Sequence, residues 1–333
     1  MQGWLPKPVA LQVKGVSSLP PLDVQRRITR HIEHLKGREA IRINHAAILK
    51  RIGSYSKKKS GTSHFVAKQY QGIVEVLRAD TEGHWYCPIV SAFHAKTGRD
   101  HVLGSSLSQV PKQYWKSVLN PPQGSVYVLL DYKQQEPMIA AHFAGCQPLL
   151  SWYEQGEDIY QKLIQFTGIQ LSREQCKQLL IGRLYGIGHR ALAEKIGVSR
   201  RRVKVLLVEL SKLIWPIDQY LDQSADAIRH RGIARSLDWQ YAVSDLDQRL
   251  SLRNWKIQAA GADILRRACQ RLDEANIPLL LTNHDSFLVR LEQEQFEDQR
   301  DKAVNALRCA AADVLDGFSL NVSIEMTQHA QEK

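Results

Sequence analysis

The chain is poor in cysteine and has none in pairs. Its five, Cys87, Cys146, Cys176, Cys269 and Cys309, are scattered over 333 residues without a C-x-x-C. That spacing indicates neither a zinc site nor a disulfide framework, and it fits a reducing cytosol. No run of eighteen or more uncharged apolar residues occurs, so no membrane span is expected. The N-terminus, MQGWLPKPVALQVKG, lacks a basic start followed by an apolar stretch and does not read as a signal peptide. A cytoplasmic location is expected. Internal repeats and low-complexity tracts are absent as well. What is present is ordinary for a globular protein: 44% hydrophobic and 24% charged residues, enough for one large core or two modest ones.

The charge is unevenly placed. Of the formal +11, nearly all falls in residues 1–60, which hold thirteen Lys/Arg against three Asp/Glu. A basic segment on a balanced body suits a grip on a polyanion, because neutralising phosphates gives sequence-independent affinity. A solvated basic surface explains the same charge equally well.

Residues 1–20, punctuated by Pro, Gly and Ser, read as an irregular arm. LDVQRRITRHIEHLKG (22–37) reads as an amphipathic helix with Ile28, Ile32 and Leu35 on one face. A second helix is expected over 39–52, a basic loop carrying Lys57, Lys58 and Lys59 over 54–64, and a third helix after it. A boundary falls near residue 80. Beyond it, SVYVLLD (125–131) reads as a buried strand, followed by a helix over 136–145 with Pro137 tolerated in its first turn. Helices are expected over 172–186, 190–196, 199–213, 216–231 and 255–275. IPLLLTNHDSFLVRLE (277–292) reads as two strands around a tight turn, followed by a helix over 293–315 and a last strand over 318–326. Strands on both sides of a helical middle make the fold class α+β.

Three segments carry candidate chemistry. LLDYKQQEP ends a strand on Asp131 and so presents a carboxylate at a sheet edge, although such an Asp is commonly a turn residue. SREQCKQLLIGRLYGIG opens with a capping box, Ser172 to Gln175. In its helix Arg173, Lys177, Ile181 and Tyr185 recur every four residues. Each such step drifts by about 40°, so all four share one broad face. Two cations, an apolar residue and an aromatic suit a triphosphate at one end and a base at the other; a solvated stripe with Tyr185 in the core is the plainer reading. In LLLTNHDSFLVRLE, Asp285 sits at a strand–turn–strand apex, where it can share a site with Asp131.

In order and spacing, these segments resemble the three polymerase motifs of the family A (bacterial DNA polymerase I-like) DNA polymerases. Asp131, Tyr132, Gln134 and Glu136 match D-Y-S-Q-x-E, with Lys133 in place of Ser. Arg173, Lys177, Gly182, Tyr185 and Gly186 match R-x3-K-x3-[FY]-G-x2-Y-G. His284 and Asp285 match V-H-D-E. NWKIQAAGADILRRA resembles the N-A-P-x-Q-G-T-A-A-D-I helix at Asn254, Gln258, Ala262, Asp263 and Ile264. KTGRDHVLGSSLSQVP loosely resembles T-G-R-L-S-S…N-L-Q-N-I-P, with Arg99 and Gln109 in place. The resemblance spans roughly residues 65–330.

The resemblance implies a right-hand polymerase: a palm at 81–145 and 251–333, fingers at 146–250, and a reduced basic thumb at 21–80 after the arm. It implies two Mg²⁺ ions, replaceable by Mn²⁺, held by Asp131, Asp285 and the backbone carbonyl of Tyr132. Arg173 and Lys177 would bind the triphosphate of a dNTP, and Lys177 would protonate the leaving pyrophosphate. Ile181, Tyr185, Gln134 and Glu136 would surround the nucleotide, with Glu136 blocking a ribose 2′-hydroxyl. Arg99, Gln109, Asn254, Gln258 and His284 would contact the primer-template DNA, as would Lys57, Lys58 and Lys59. Ile181 replaces the family's aromatic residue, which implies weaker stacking of the nucleotide sugar and discrimination against dideoxynucleotides. Ser286 replaces Glu and raises the alternative of an RNA- or primer-synthesising polymerase. A third reading is a catalytically inactive DNA-binding palm. The short segment before the palm leaves no room for a proofreading domain and implies low processivity. A monomer without membrane association is expected, acting in repair, lesion bypass or mobile-element replication.

Overall fold

The computed structural model describes residues 22–57, 61–245 and 247–329. Lys58 and Lys59, like the arm at 1–20, lie outside them. The chain begins with α1 (Leu22–Gly37), β1 (Ile41–Ile43), α2 (His45–Ser56) and α3 (Gly61–Glu75). Four short strands follow: β2 (Arg78–Asp80), β3 (Gly83–Tyr86), β4 (Ile89–Ser91) and β5 (His101–Leu103). The long strand β6 (Ser125–Tyr132) leads into α4 (Gln135–Ala144). The helical middle comprises α5 (Gln147–Glu154), α6 (Ile159–Thr167), α7 (Arg173–Leu184), α8 (His189–Ile196) and α9 (Arg200–Arg231). A hairpin of β7 (Ile233–Arg235) and β8 (Gln240–Ala242) precedes α10 (Arg249–Arg253) and α11 (Trp255–Glu274). The chain closes with β9 (Leu279–Asn283), β10 (Ser286–Glu292), α12 (Phe296–Val314) and β11 (Val322–His329). The fold is α+β, as expected. No helix among the described residues is long and apolar enough to cross a membrane.

The central sheet is antiparallel, in the order β11-β6-β10-β9. Strand β6 explains why its sequence is an almost unbroken apolar run: both faces are covered. Val126, Val128, Leu130 and Tyr132 point into the larger core with α4, α11 and α12. Tyr127 and Leu129 point the other way, into a second core with Ile41, Ile43, Tyr70 and Trp115. The period of two along a strand makes this division. Residues 41–86 therefore pack on the back of the central sheet.

The expected helix over 39–52 is instead β1 followed by α2. Ile41 and Ile43 are buried on alternate positions of a strand paired with β3, and Asn44 caps α2 by accepting from the Ala47 N–H at 2.8 Å. The expected loop over 54–64 is narrower, because α2 runs to Ser56 and α3 starts at Gly61. The expected break near Pro216 does not occur. Helix α9 continues through it for 32 residues, burying Leu213, Ile214 and Ile217 around the proline. The Cys146 thiol donates to the Leu213 carbonyl at 3.5 Å, near the turn whose backbone pairing a proline disturbs.

Helix α7, which carries the cationic stripe, is fixed by its back face. Cys176, Leu179, Leu180 and Leu184 are buried there, and Ser172 and Gln175 complete the capping box. Gly182 allows α8 to approach: a Cβ at that position would lie 2.7 Å from Leu192 Cδ1, and Leu192 is itself fully buried. Gly182→Ala is expected to cost about 1–3 kcal/mol through overpacking, read as a lowered melting temperature. An unchanged melt would show that this interface yields freely.

Candidate active site

Two strand ends form the base of the site. Asp131 lies near the end of β6, directly across from Ser286 of β10 on one side and Ser323 of β11 on the other. Between β9 and β10 the chain turns through two residues, His284 and Asp285. His284 takes a left-handed conformation (φ 57°), which is uncommon for a residue with a side chain and is concentrated at functional turns. The Tyr132 N–H donates to the Asp285 carbonyl at 3.0 Å, so the turn is tied to the end of β6. Two carboxylates that stand 154 positions apart in sequence thus share one place.

The electrostatics are those of crowded acids. Burial and the neighbouring Asp131 push the Asp285 carboxyl up to about 7. Burial also raises Asp131, against the opposing pull of Lys112. The Lys112 ammonium donates to Asp131 Oδ2, and Lys177 acts on the same carboxylate through space. Two repelling, partly dehydrated carboxylates form an all-oxygen pair. That suits a hard divalent cation that keeps several of its waters. Among the described residues no group of three or more His, Cys, Asp or Glu side chains is placed to hold a metal, so the oxygen pair is the fit to consider.

A cleft of about 1170 Å³ opens above this pair. Its wall on the α7 side presents Arg173, Lys177, Ile181 and Tyr185, the whole stripe read from the sequence. Arg173 is held by Asp158, the N-cap of α6, at 2.7 Å, and it lies 5.2 Å from the centre of the Tyr160 ring. Lys177 forms no ion pair among the described residues. At the other end of the stripe the Tyr185 hydroxyl donates to Glu136 Oε1 at 2.9 Å. The Arg99 guanidinium donates to the same oxygen. Glu136 is therefore clamped between an arginine and a phenol on the cleft wall. Gln134, left-handed at φ 50° before α4, and His284 complete this side.

Other candidates lie elsewhere. Gln109 borders a neighbouring hollow with Arg99 and His284, and its amide donates to the Gly104 carbonyl at 3.1 Å. Asn254 is buried at the start of α11, with both side-chain polar atoms lacking a partner. Gln258 is half-buried one turn along α11. Neither lines the cleft. Lys57 is exposed at the end of α2.

Sequence reasoning missed Lys112, Asp158 and Glu325. Glu325 sits at the irregularity where β11 shifts register against β6 between Ile324 and Met326. A bulge of this kind re-aims a side chain, and here it puts Glu325 on the cleft wall, 3.0 Å from Ser323 Oγ and close enough to raise Asp131. Only the strand register gives this placement. An acid in the last strand carries no such signal by itself.

A family model described as DNA polymerase family A matches residues 39–332. DNA polymerase I of Chloroflexus aurantiacus is 24% identical over 259 residues, covering 69% of this chain and 27% of that protein. The thermostable DNA polymerase I of Thermus aquaticus is 24% identical over 280 residues, with 72% and 33% covered. The DNA polymerase of Mycobacterium phage D29 is 24% identical over 217 residues, with 62% and 36% covered. The chain spans about a third of the length of these curated relatives. Among solved structures, the POL domain of Pol1 from M. smegmatis, in complex with DNA primer-template and dNTP, shares the fold. Its TM-score is 0.75 at 17% identity, over 93% of this chain and 69% of that one. The chain belongs to family A of the DNA polymerases.

Proposed function

We propose that the chain is a template-directed DNA polymerase that adds dNTPs to a primer 3′-hydroxyl. The observation that carries this reading is the facing of two opposite-sign features across one cleft. The neighbouring carboxylates Asp131 and Asp285 lie at its base, and the Arg173–Lys177 cations line its wall. Asp131, Asp285 and the Tyr132 carbonyl would hold two Mg²⁺ ions, which would activate the primer oxygen and neutralise the triphosphate. Lys112 counters the charge of Asp131 in the metal-free protein. Arg173 binds the triphosphate, and Lys177 gives a proton to the leaving pyrophosphate. That Lys177 lines the cleft and forms no ion pair among the described residues supports this role.

Sugar choice follows from the clamp on Glu136. Because Arg99 and Tyr185 both hold Oε1, the carboxyl cannot swing away from an incoming 2′-hydroxyl. Glu136→Ala is expected to relax rejection of ribonucleotides by about 10–200-fold, the range for a small steric mismatch. Glu136→Gln keeps the shape and should keep most of the selectivity. The ratio of kcat/KM for matched dNTP and rNTP checks both. If alanine leaves that ratio unchanged, Glu136 is not the gate.

The activity itself is tested by primer extension on a template of defined sequence. Addition of the complementary dNTP supports the reading, and binding without extension supports the inactive-palm alternative. For the remaining expectations the same proposal holds: low processivity, a monomer and a cytoplasmic location. The partly solvated cations of α2 and α3 would lie along the duplex.

A further inference from the structure

Helices α8 and α9 form a unit behind α7: Lys195 of α8 reaches the cleft, and no residue of α9 lines it. Eight residues of α8 end at Gly197, which takes the left-handed conformation (φ 72°) that stops the helix. Only Gly197, Val198 and Ser199 separate it from α9, and the Ser199 side chain caps α9 by accepting from the Arg202 N–H at 3.1 Å. Leu192, Ala193 and Ile196 of α8 are buried with Val203, Leu206 and Leu210 of α9. Small Ala193 at the contact, a left-handed glycine four residues on and a branched residue six further make a helix-turn-helix: two packed helices joined by a short glycine-containing turn.

The outward face of the second helix is unusual. Arg200, Arg201, Arg202 and Lys204 are all exposed, and none forms an ion pair or side-chain hydrogen bond among the described residues. The first turn of α9 contains no acid. Cations at a helix N-terminus oppose the helix dipole, at about 0.3–1 kcal/mol each, so this placement is unfavourable for the isolated fold. Most other arginines of the protein are matched with acids, as Arg249 is with Asp222 and Asp226. One turn further along the same face, Val205 and Val208 are 47% and 61% exposed. Cations at the start of the second helix followed by aliphatic side chains are what such a unit offers a major groove. The cations meet phosphates and guanine edges, and the aliphatics meet thymine methyls. An exposed aromatic for stacking on single-stranded bases is absent from this turn.

We propose that the α8–α9 helix-turn-helix is a second DNA-binding surface, taking duplex DNA on the outer face of the fingers, separate from the primer cleft. The occupant is double-stranded DNA, chosen by charge complementarity between its phosphates and the exposed cations at the start of α9.

The test is fluorescence anisotropy with a covalently closed dumbbell duplex, which offers no 3′ terminus to the cleft. The full chain is compared with the triple variant Arg200→Ala, Arg201→Ala, Lys204→Ala. All three residues are exposed, and a thermal melt confirms that the variant folds. The variant should bind the dumbbell at least about tenfold more weakly, and the slope of log affinity against log salt should fall by about three. Extension of a simple primer-template at saturating DNA should be unchanged. Equal dumbbell affinity and salt slope in the two proteins would overturn the proposal. So would an equal loss on dumbbell and primer-template, which would make these cations part of the primer-template grip. Because the dumbbell reads binding alone, failure of the wild type to extend primers would refute the polymerase reading and leave this result standing by itself.

Discussion

Asp285→Asn will abolish primer extension and at the same time raise the melting temperature of the metal-free protein. The two effects share one cause. Burial and Asp131 raise the Asp285 carboxyl from 3.8 to about 7, so folding favours its neutral form. For an acid with a raised folded pKa the sign is fixed. The fold carries no penalty below the unfolded value, gains one as pH rises from about 4 through about 7, and carries all of it above. Asparagine removes the charge and the penalty together, and it relieves Asp131 too. A gain of about 1 kcal/mol at about pH 8 corresponds to roughly 2–4 °C in Tm. It should shrink towards zero as pH falls to about 4. Loss of one metal-holding carboxylate should lower the extension rate by at least about a thousandfold, since metal-stabilised charge is worth several kcal/mol. A variant that is inactive and less stable at pH 8 would mean that Asp285 is a structural turn residue. Stored repulsion at a catalytic centre is instead a trade of stability for function.

The second large effect is at Lys177. This side chain lines the cleft, acts on Asp131 through space and pairs with no acid among the described residues, whereas Arg173, the first residue of α7, is held by Asp158. In the proposed reaction the two cations would divide their work, Arg173 for binding and Lys177 for chemistry. Lys177→Ala should lower kcat by about 10²–10⁴-fold, the range for a lost general acid. Lys177→Arg keeps the charge but holds its proton too tightly to give it up. It should restore KM for the nucleotide while kcat stays low. Single-turnover incorporation with both variants separates the effects. An alanine variant with raised KM and unchanged kcat would show that Lys177 only binds.

How much of this was legible in the sequence depends on how local each signal was. Strand β6, the β9–β10 turn and α7 could be read because their apolar period and caps are properties of consecutive residues. The Arg173–Tyr185 stripe needed only the pitch of a helix, and the structure sets all four on the cleft. Strands β1, β4 and β7 are three residues long and exist only through their partners, so no local pattern marks them. Pro216 carried a strong local signal for a break, which the packing of Leu213, Ile214 and Ile217 overrides. The basic N-terminal segment was misleading in part. Arg27 pairs with Asp238, Arg30 with Glu274, Arg42 with Asp80 and Glu82, and His31 with Asp100. That part of the charge holds the segment to its own protein. Lys112, Asp158 and Glu325 reach the cleft from separate elements, so only the fold could reveal them.

Primer extension by the wild type and by Asp131→Ala, on one primer-template with magnesium and the complementary dNTP, tests the central claim most directly. Template-directed extension is expected from the wild type and none from the variant, with the two proteins giving equal circular dichroism. No extension by the wild type, or unchanged extension by Asp131→Ala, would contradict it.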